Sequence, residues 1–489
     1  MINLSLILPE ITLFCGALLI ILSDSFLGKK FKDFFYFSHI TALITCAISS
    51  FLAVKNIPFH ELAFNNMFIS NSFTSLSKAL AIIFLTFVIL LSLNFINNNK
   101  KISSEFLGLL MIATTGGMVM ISSNDFLVFY LGLELQALSL YLLAAIDRSS
   151  EKSSEAGMKY FVLGCLASGM LLFGISMIYG FSGTTNFHAL NNLYATENAE
   201  AYKNIPLGAM FGFVMVLIAM FFKISAAPFH MWAPDVYQGS ATISTTFFAT
   251  VAKFTTVIAL INIFSRVILG WPGIENIFLL VSLLSLIVGS FGAIFQKNLK
   301  RLLAYSSIGH MGFILLAMAA FSKDSFVACV FYMIIYTVIS IGSFGFLSLI
   351  KTKHSSEIKT KHSSELEISS LSGLVKTNPL MAFNLAVLMF STAGIPPLAG
   401  FFSKFYILSA AMSRGLLIYA IIAIIFSVIS AFYYLRIVKV MYFDEAKTKL
   451  EFEDSMNGKL IIFITAIFNI IFIFFLDNII TLINNFITF

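Results

Sequence analysis

The sequence predicts an all-α polytopic membrane protein of about 14 transmembrane helices, with two inverted five-helix repeats and breaks in helices 7 and 12. Of its 489 residues, 59% are hydrophobic and only 11% are charged, whereas soluble domains carry roughly a quarter charged residues. The apolar runs last about twenty residues, the length of a helix that crosses the lipid core and about twice that of a barrel strand. Two of these runs are interrupted by Gly and Pro. Lipid therefore surrounds most of this chain.

A window of about twenty residues defines the individual spans. Their predicted limits are 4–22, 34–54, 73–95, 105–122, 125–146, 157–180, 207–230, 242–264, 275–295, 301–320, 325–350, 379–411, 415–437 and 458–478. The first residues are apolar without a preceding basic stretch or a small-residue cleavage site, so the first span is expected to be retained.

Lysine and arginine are unevenly distributed between the connections. Connections after odd-numbered spans hold nineteen of these residues, and connections after even-numbered spans hold five. Because basic loops stay on the cytoplasmic side, the odd connections should face the cytoplasm and both termini should lie outside. The net charge of +6 thus reflects orientation in the membrane and does not indicate a nucleic-acid partner.

Two spans carry a helix-breaking stretch beside a lysine. In the seventh, Lys223 precedes Ala226-Ala227-Pro228, and in the twelfth, Gly394 to Gly400 precede Lys404. The two spans lie five apart and so cross in opposite directions, as expected for an inverted repeat with a transport site. Two ordinary proline kinks are the alternative. The chain is therefore predicted to consist of an N-terminal part (1–104), a first repeat (105–264), a second repeat (275–437) and a C-terminal part (438–489).

Apart from Arg301 and Lys459 at span boundaries, which are counted with the connections, six basic residues lie inside predicted spans. Lys78 and Arg436 are near span ends, where a long side chain can reach the interface, and Lys159 is intermediate. The remaining three are deep, and so is one acid: Lys223, Lys253, Lys404 and Glu134. A charge at the helix centre costs about 2.5–3.5 kcal/mol on insertion scales. Buried ion pairs that only lock helices together are the alternative, but one acid cannot neutralise three lysines.

Buried lysines suit proton transfer. Loss of hydration lowers the pKa of a buried amine toward neutral pH. A row of such groups titrates as a coupled system. His310 is a further candidate relay, since an unperturbed histidine has a pKa of about 6.5, although it is equally a hydrogen-bonded core residue. His230 and Asp235 either gate proton entry or cap the seventh helix. Glu10 is expected to have a structural role.

The sequence offers no cofactor or metal site. The four cysteines stand alone in apolar segments, without the spacing of a metal or iron–sulfur site: Cys15, Cys46, Cys165 and Cys329. Between spans eleven and twelve, an octapeptide is duplicated at 352–359 and 360–367, with His354 and His362 in corresponding positions. Metal binding is one interpretation of these histidines, and a solvated loop is the favoured one.

Six segments carry a resemblance to a known family. They are FYLGLELQALSLYLLAA (129–145), KYFVLGCLASGMLLFGISMIYG (159–180), KISAAPFHMWAPDVYQG (223–239), NLKRLLAYSSIGHMGF (298–313), AGIPPLAGFFSKFY (393–406) and YYLRIVKVMYF (433–443). In this order they resemble the antiporter-like membrane subunits of respiratory complex I, the proton-pumping NADH:quinone oxidoreductase, and among these the subunit N branch. The resemblance covers roughly two-thirds of the chain.

The resemblance implies a function and a set of roles. It implies a proton relay in which Glu134 pairs with Lys223, Lys253 is central and Lys404 is distal, with Lys159 beside the pathway. It also implies that NADH, FMN, iron–sulfur clusters and quinone bind partner subunits, and that the chain contacts other membrane subunits, including related antiporter-like ones. The location would be the inner (plasma) membrane of a bacterium, with an organelle inner membrane as the alternative.

Alternative functions stay open at this point. Sodium/proton antiporter subunits share the broken helices and lysines, a passive assembly scaffold would need no relay, and a secondary solute transporter would need a wide polar site. One segment departs from the family pattern. The eighth span begins GSATISTTFFATVAKF without the proline of the family, so the geometry before Lys253 cannot be carried over from it.

Overall fold

The computed structural model describes residues 3–27, 34–98, 104–194, 205–267, 273–351, 366–445 and 450–487. Within these residues the chain forms α-helices throughout, with one short β-hairpin. The helices are α1 (Leu8–Leu27), α2 (Phe34–Lys55), α3 (Ser72–Asn98), α4 (Glu105–Ile121), α5 (Phe126–Ala144), α6 (Glu151–Ser182), α7 (Phe187–Tyr194), α8 (Leu207–Lys223), α9 (Trp232–Gly239), α10 (Thr242–Phe247), α11 (Lys253–Val267), α12 (Ile274–Ile294), α13 (Leu299–Ala319), α14 (Lys323–Ser348), α15 (Leu374–Thr377), α16 (Pro379–Ala393), α17 (Ala399–Ser413), α18 (Leu417–Phe443), α19 (Met456–Ile471) and α20 (Leu476–Phe486).

The helices are long and apolar enough to confirm the predicted polytopic all-α class. In the described part of the chain, eleven helical segments can cross a membrane by length and composition, and three shorter apolar helices accompany them: Glu105–Ile121, Leu207–Lys223 and Pro379–Ala393. The exact number of 14 spans, the inverted repeats and the side of the membrane on which the termini lie stay predictions. Most of the duplicated octapeptide, including His354 and His362, lies outside the described residues.

Both predicted helix breaks are present. The seventh span separates into α8 and α9, and Ser225 between them has a left-handed backbone with φ of 60°. The twelfth span separates into α16 and α17, and Gly394 ends α16 with φ of 87°. Each break contains a cis peptide bond, before Pro228 and before Pro397. The breaks leave backbone N–H and C=O groups without intrahelical partners.

A third irregularity lies where the expected proline is missing. The eighth span runs through α10, a π-helical turn at Phe248–Ala252 and α11. The turn ends directly before Lys253. A π-helical turn inserts one residue into a helix and rotates the residues after it, and such turns are frequent at functional sites. The π-helical turn therefore sets the direction of Lys253 in this chain.

Three spans form the centre of the molecule. The segment Thr242–Val267 is entirely surrounded by protein, and α13 and α14 are nearly so, whereas α2 and α18 expose most of their apolar windows. A helix that is apolar all round must be buried on all sides, while one on the outside needs only an inner stripe. Polar groups on the central helices are therefore shielded from lipid by the outer ones.

The first three helices enclose a buried ion pair that the sequence did not predict. Lys78 was expected to extend to the interface, but it is only 1% exposed and its Nζ lies 2.5 Å from a carboxylate oxygen of Glu10. Strand β1 (Glu61–Ala63) pairs antiparallel with β2 (Phe68–Ser70), and the Phe68 ring lies 4.6 Å from the same Nζ. The hairpin therefore closes over Lys78, and Glu10 has the expected structural contact.

Arg436 behaves as a helix cap. Its Nη1 and Nη2 atoms, half-buried near the end of α18, each donate to a backbone carbonyl 2.8 Å away, Ile294 and Gln296 respectively. These carbonyls belong to the C-terminal end of α12, where the last C=O groups lack helical partners. Arg436 therefore joins α18 to the C-terminal end of α12.

Candidate functional site

The first group of the site lies between α5, α6 and α8. Glu134 and Tyr141 are seven residues apart on α5 and therefore share a face. Lys223, the last residue of α8, donates a hydrogen bond to the Tyr141 hydroxyl at 3.1 Å. Gly164 of α6 provides the room, since a Cβ there would lie 2.0 Å from the Tyr141 hydroxyl. The packing of α6 therefore holds Tyr141 on Lys223.

The pair of Glu134 with Lys223 that the resemblance implies stays a prediction. The two side chains interact electrostatically, but they make no direct ion pair, because the Lys223 ammonium is directed at Tyr141 instead. One carboxylate oxygen of Glu134 is buried and has no hydrogen-bond partner among the described residues. A buried carboxylate oxygen without a donor is the kind of group that an ordered water satisfies.

A small cavity separates Lys223 from Lys253. Its volume is about 10 Å³, comparable with the room that one water needs. Both lysines line it, together with Gln136, Tyr160, Trp232 and Thr256, among others. The wall thus combines amine, amide and hydroxyl groups with aromatic rings. A water in this cavity would share it with the side chains of both lysines.

Lys253 lies at the centre and is 2% exposed. Its ammonium donates to two hydroxyls, Ser225 and Ser307, each 2.7 Å away. Ser225 belongs to the break in the seventh span, and its left-handed backbone turns its hydroxyl toward Lys253. Ser307 lies on α13. Lys253 therefore connects the first break to the helix that leads to the second.

His310 follows Ser307 by one turn of α13 and is buried. Its Nδ1 lies 2.6 Å from the Tyr332 hydroxyl, and its Nε2 lies 3.1 Å from the Tyr434 hydroxyl. Tyr434 also hydrogen-bonds the hydroxyl of Ser306. His310 is in electrostatic range of both Lys253 and Lys404. Both ring nitrogens thus contact hydroxyls that can donate or accept a proton.

Lys404 lies beside the second break. Its Nζ donates to the carbonyl of Ala393, the last residue of α16, and to the Ser427 hydroxyl, both at 3.0 Å. A second cavity of about 10 Å³ is lined by both Lys404 and His310. Carbonyls at the end of a broken helix are free to accept such a bond. The break therefore supplies the acceptor that holds the Lys404 ammonium.

Lys159 lies outside the buried row, and the place beside the pathway that the resemblance implies stays a prediction. Its side chain is 43% exposed and pairs with Glu155 at 2.7 Å and Asp235 at 3.0 Å. Asp235 also accepts from Arg301 of α13 at 2.5 Å. These contacts join α6, α9 and α13, so Asp235 acts as an anchor for the short helix that follows the first break.

His230 lies in the turn between α8 and α9 and is half-buried. Its Nδ1 is buried without a hydrogen-bond partner in the described part of the chain. Trp232 follows, and its Nε1 donates to the carbonyl of Phe222 at 2.9 Å. His230 thus borders the break but contacts neither Lys223 nor Lys253 through a hydrogen bond.

Sequence reasoning missed the hydroxyl groups of the site. They alternate with the charged residues and are largely buried: Tyr141, Ser225, Ser306, Ser307, Tyr332, Ser427 and Tyr434. A hydroxyl can donate and accept at once, whereas an ammonium only donates. The pairing of Ser306 and Ser307 with His310 at helical spacing was the available signal, but serines are common in membrane helices.

The site in the described part of the chain is a row of proton donors and acceptors. Across the described residues, no group of three or more His, Cys, Asp or Glu side chains is placed to hold a metal ion. The order of groups is carboxylate, amine, amine, imidazole and amine, with hydroxyls and two small cavities between them. Such a sequence of proton acceptors and donors supports transfer over short steps.

Comparisons with known proteins agree with this architecture. The family model described as NADH:quinone oxidoreductase/Mrp antiporter, TM, matches residues 123–430. Two relatives are both named NADH-quinone oxidoreductase subunit N. That of Rhodospirillum rubrum is 42% identical, covering 87% of this chain and 84% of the relative. That of Pelagibacter ubique is 40% identical, covering 96% and 97%.

Two solved structures share the fold. A chain of respiratory complex I from Thermus thermophilus with bound aureothin has a TM-score of 0.79 and 24% identity, covering 97% of this chain and 98% of that one. A chain of the Mrp complex from Dietzia has a TM-score of 0.81 and 18% identity, covering 99% and 97%. With the family model over more than half of the sequence and relatives 40% and 42% identical along most of their length, the chain belongs to the NADH-quinone oxidoreductase subunit N family of antiporter-like membrane subunits.

Proposed function

We propose that this chain is a proton-translocating membrane subunit of NADH:quinone oxidoreductase. The observation that carries the proposal is the buried position of Lys253, which donates hydrogen bonds to Ser225 at the first helix break and to Ser307 on α13. Three lysines deep in the membrane disfavour insertion by several kcal/mol. A protein with no use for them would avoid this cost. The relatives are named as subunits of this complex, and this chain would work in the same kind of assembly.

The proposed path follows the side chains in space. A proton enters near Glu134 and Lys223, passes the first cavity to Lys253, continues through Ser307 and His310, and reaches Lys404 across the second cavity. Lys223 is in electrostatic range of Glu134 and shares a cavity with Lys253. Lys253 donates to Ser307, and His310, one turn further along α13, is in electrostatic range of Lys253 and shares the second cavity with Lys404. Because neighbouring charges shift one another's proton affinity, a change at one end propagates along the row.

The energy source lies on other chains. NADH, FMN, iron–sulfur clusters and quinone belong to partner subunits in this proposal, and these partners include related antiporter-like membrane subunits. Oxidation of NADH would change the charge near one end of the row and so drive the proton steps. The chain would lie in the inner membrane of a bacterium with both termini outside, and the halves 105–264 and 275–437 would act as inverted units.

A sodium/proton antiporter subunit is the second candidate. It is favoured by the structural likeness to a chain of the Mrp complex and by the family description, which names both groups. Relatives at about 40% identity carry the subunit N name instead, and that is why the first function is preferred. Sodium-driven proton exchange without NADH, in vesicles that contain this chain, would favour the antiporter.

Proton pumping in the reconstituted complex tests the proposal. The complex containing Lys404→Ala would be placed in proteoliposomes, and protons moved per NADH oxidised would be measured by a pH-sensitive dye. We expect strongly reduced pumping at wild-type subunit content, since Lys404 ends the row. Pumping at the wild-type ratio with this alanine would reject the relay and favour a scaffold role for the chain.

A further inference from the structure

The last span contributes a side chain to the second helix break. Asn469 lies on α19, outside the segment 105–437 that contains the relay residues. Its Oδ1 accepts a hydrogen bond from the Ser391 hydroxyl at 2.7 Å. We propose that Asn469 is a positioning residue that acts through Ser391 and Gly400 to hold Lys404 in place for proton transfer. The inference rests on the proposed function.

Ser391 joins the two halves of the broken helix. It lies in the last turn of α16, and its hydroxyl oxygen accepts from the backbone N–H of Gly400, in the first turn of α17, at 3.0 Å. The first N–H groups of a helix lack intrahelical partners. The same hydroxyl donates its hydrogen to Asn469. Asn469 therefore fixes the rotamer that lets Ser391 cap α17.

Both ends of the Asn469 amide are hydrogen-bonded. Its Nδ2 donates to the backbone carbonyl of Thr465 at 2.7 Å. Both Asn469 and Ser391 are 0% exposed, so water cannot replace either bond from outside. Loss of one partner would leave a buried polar group unsatisfied, which is more costly than the bond itself is favourable. An apolar residue at 469 should therefore reorient Ser391.

Close packing passes this effect to Lys404. A Cβ on Gly400 would lie 1.8 Å from the carbonyl oxygen of Ser391, so α16 and α17 touch directly at this point. Lys404 follows Gly400 by one turn of α17 and bonds Ala393, two residues after Ser391. A shift of α17 relative to α16 must therefore change the length of the Lys404 bond.

The first break has a comparable brace. The backbone N–H of Ala227 donates to the Ser285 hydroxyl of α12 at 2.9 Å. In both breaks, a serine hydroxyl accepts from an N–H that the break has freed. Only at the second break is that serine hydrogen-bonded to an amide side chain of the last span, among the residues described. This arrangement links α19 to one lysine of the row.

Two substitutions and their combination test the brace. Asn469→Leu removes the amide at similar volume, and Ser391→Ala removes the hydroxyl. Proton pumping per NADH would be measured in proteoliposomes across a range of pH, with assembled complex quantified separately. We expect protons pumped per NADH to fall at least about threefold in each variant, because each loses a buried hydrogen bond. The double variant should be no worse than the poorer single one, because both act on one contact.

The pH dependence separates positioning from mere structure. Displacing Lys404 changes its surroundings, so the pH profile of pumping should move in both single variants. Thr465→Ala is the matched control, because it removes a buried hydroxyl one turn away on α19 and leaves the Ser391 bond intact. It should keep the wild-type ratio and profile. Lys404→Ala serves as the reference for the proposed function itself.

Specific results would overturn the inference. If Lys404→Ala pumps poorly while Asn469→Leu and Ser391→Ala retain the wild-type ratio and pH profile, the brace has no role in positioning. If these variants only lower the amount of assembled complex, while protons pumped per NADH stay at the wild-type ratio, the brace likewise has no role in positioning. If Asn469→Leu does not assemble, Ser391→Ala decides. Wild-type pumping by Lys404→Ala would overturn the proposed function and this inference with it.

Discussion

The ammonium of Lys253 donates to the hydroxyl of Ser307 at 2.7 Å, and this contact joins the eighth span to the helix that carries His310. The π-helical turn before Lys253 directs the side chain to this point. The second acceptor, Ser225, belongs to the first helix break. Lys253 thus has two neutral acceptors and no carboxylate in these contacts, so nothing in them requires a permanently charged amine.

The first prediction concerns Lys253→Arg. Arginine keeps its charge, because its pKa lies above about 12, so it can donate to Ser225 and Ser307 but cannot release a proton in the cycle. We expect assembled complex with little pumping, since groups that transfer protons typically contribute about a hundredfold or more. Protons pumped per NADH would be measured after subunit content has been checked by blotting.

Lys253→His is the companion of that experiment. Histidine titrates near neutral pH, so it should pump better than Arg despite its different shape. If Arg instead matches wild type, Lys253 serves only as a buried cation. The relay would then have to bypass this position.

The second prediction uses two glycines of α6. Gly164→Ala would place a Cβ 2.0 Å from the Tyr141 hydroxyl and should push that hydroxyl away from Lys223. We expect lower pumping, similar to that of Tyr141→Phe. Gly169→Ala is the control, since a Cβ there meets no atom within 4 Å. Equal pumping by the two alanine variants would show that the Tyr141 contact is dispensable.

Hydropathy places Lys223, Lys253 and Lys404 far from the ends of predicted spans, and the structure buries Lys253 and Lys404. The sequence could not predict their partners. Lys253 and Ser307 are 54 residues apart in the sequence, and the hydrogen bond between them depends on how two central helices pack. Glu10 was likewise not recognised as the partner of Lys78, because the hairpin that covers Lys78 has no hydropathy signal.

The exposure of Lys159 could not be predicted for a related reason. Its position a few residues inside a predicted span left its burial undecided, and α6, at the outside of the bundle, exposes the side chain. Hydropathy gives depth along a helix and says nothing of the face that a residue occupies. The structure also revealed the π-helical turn at Phe248–Ala252 in the eighth span, which nothing in the sequence indicated.

The third prediction separates Lys159 from Arg301. An exposed ion pair contributes about 0–1 kcal/mol, so Lys159→Met should lower pumping only slightly. Arg301 is less exposed and holds both Asp235 at 2.5 Å and Gln238 at 3.2 Å. Arg301→Met should therefore release α9 and reduce pumping more. The same proteoliposome assay applies, and a larger effect of Lys159→Met would return that lysine to the path.

The fourth prediction assigns the Glu10–Lys78 pair to assembly. Removing one partner of a buried pair typically destabilises by about 3–5 kcal/mol, whereas replacing both by apolar residues is often far less harmful. Glu10→Leu and Lys78→Met alone should each lower the amount of assembled complex, and the double variant should recover much of it. Membrane content after blotting and thermal stability of the purified complex would measure this.

Pumping by these variants decides between a structural pair and a second proton site. The pair is enclosed by the first three helices and the hairpin, and neither Glu10 nor Lys78 lines the cavities beside Lys253 and Lys404. Protons pumped per NADH, normalised to assembled complex, should therefore equal the wild-type ratio in the double variant. A lower ratio at full assembly would mean that Lys78 exchanges protons with the row, and the structural assignment would be wrong.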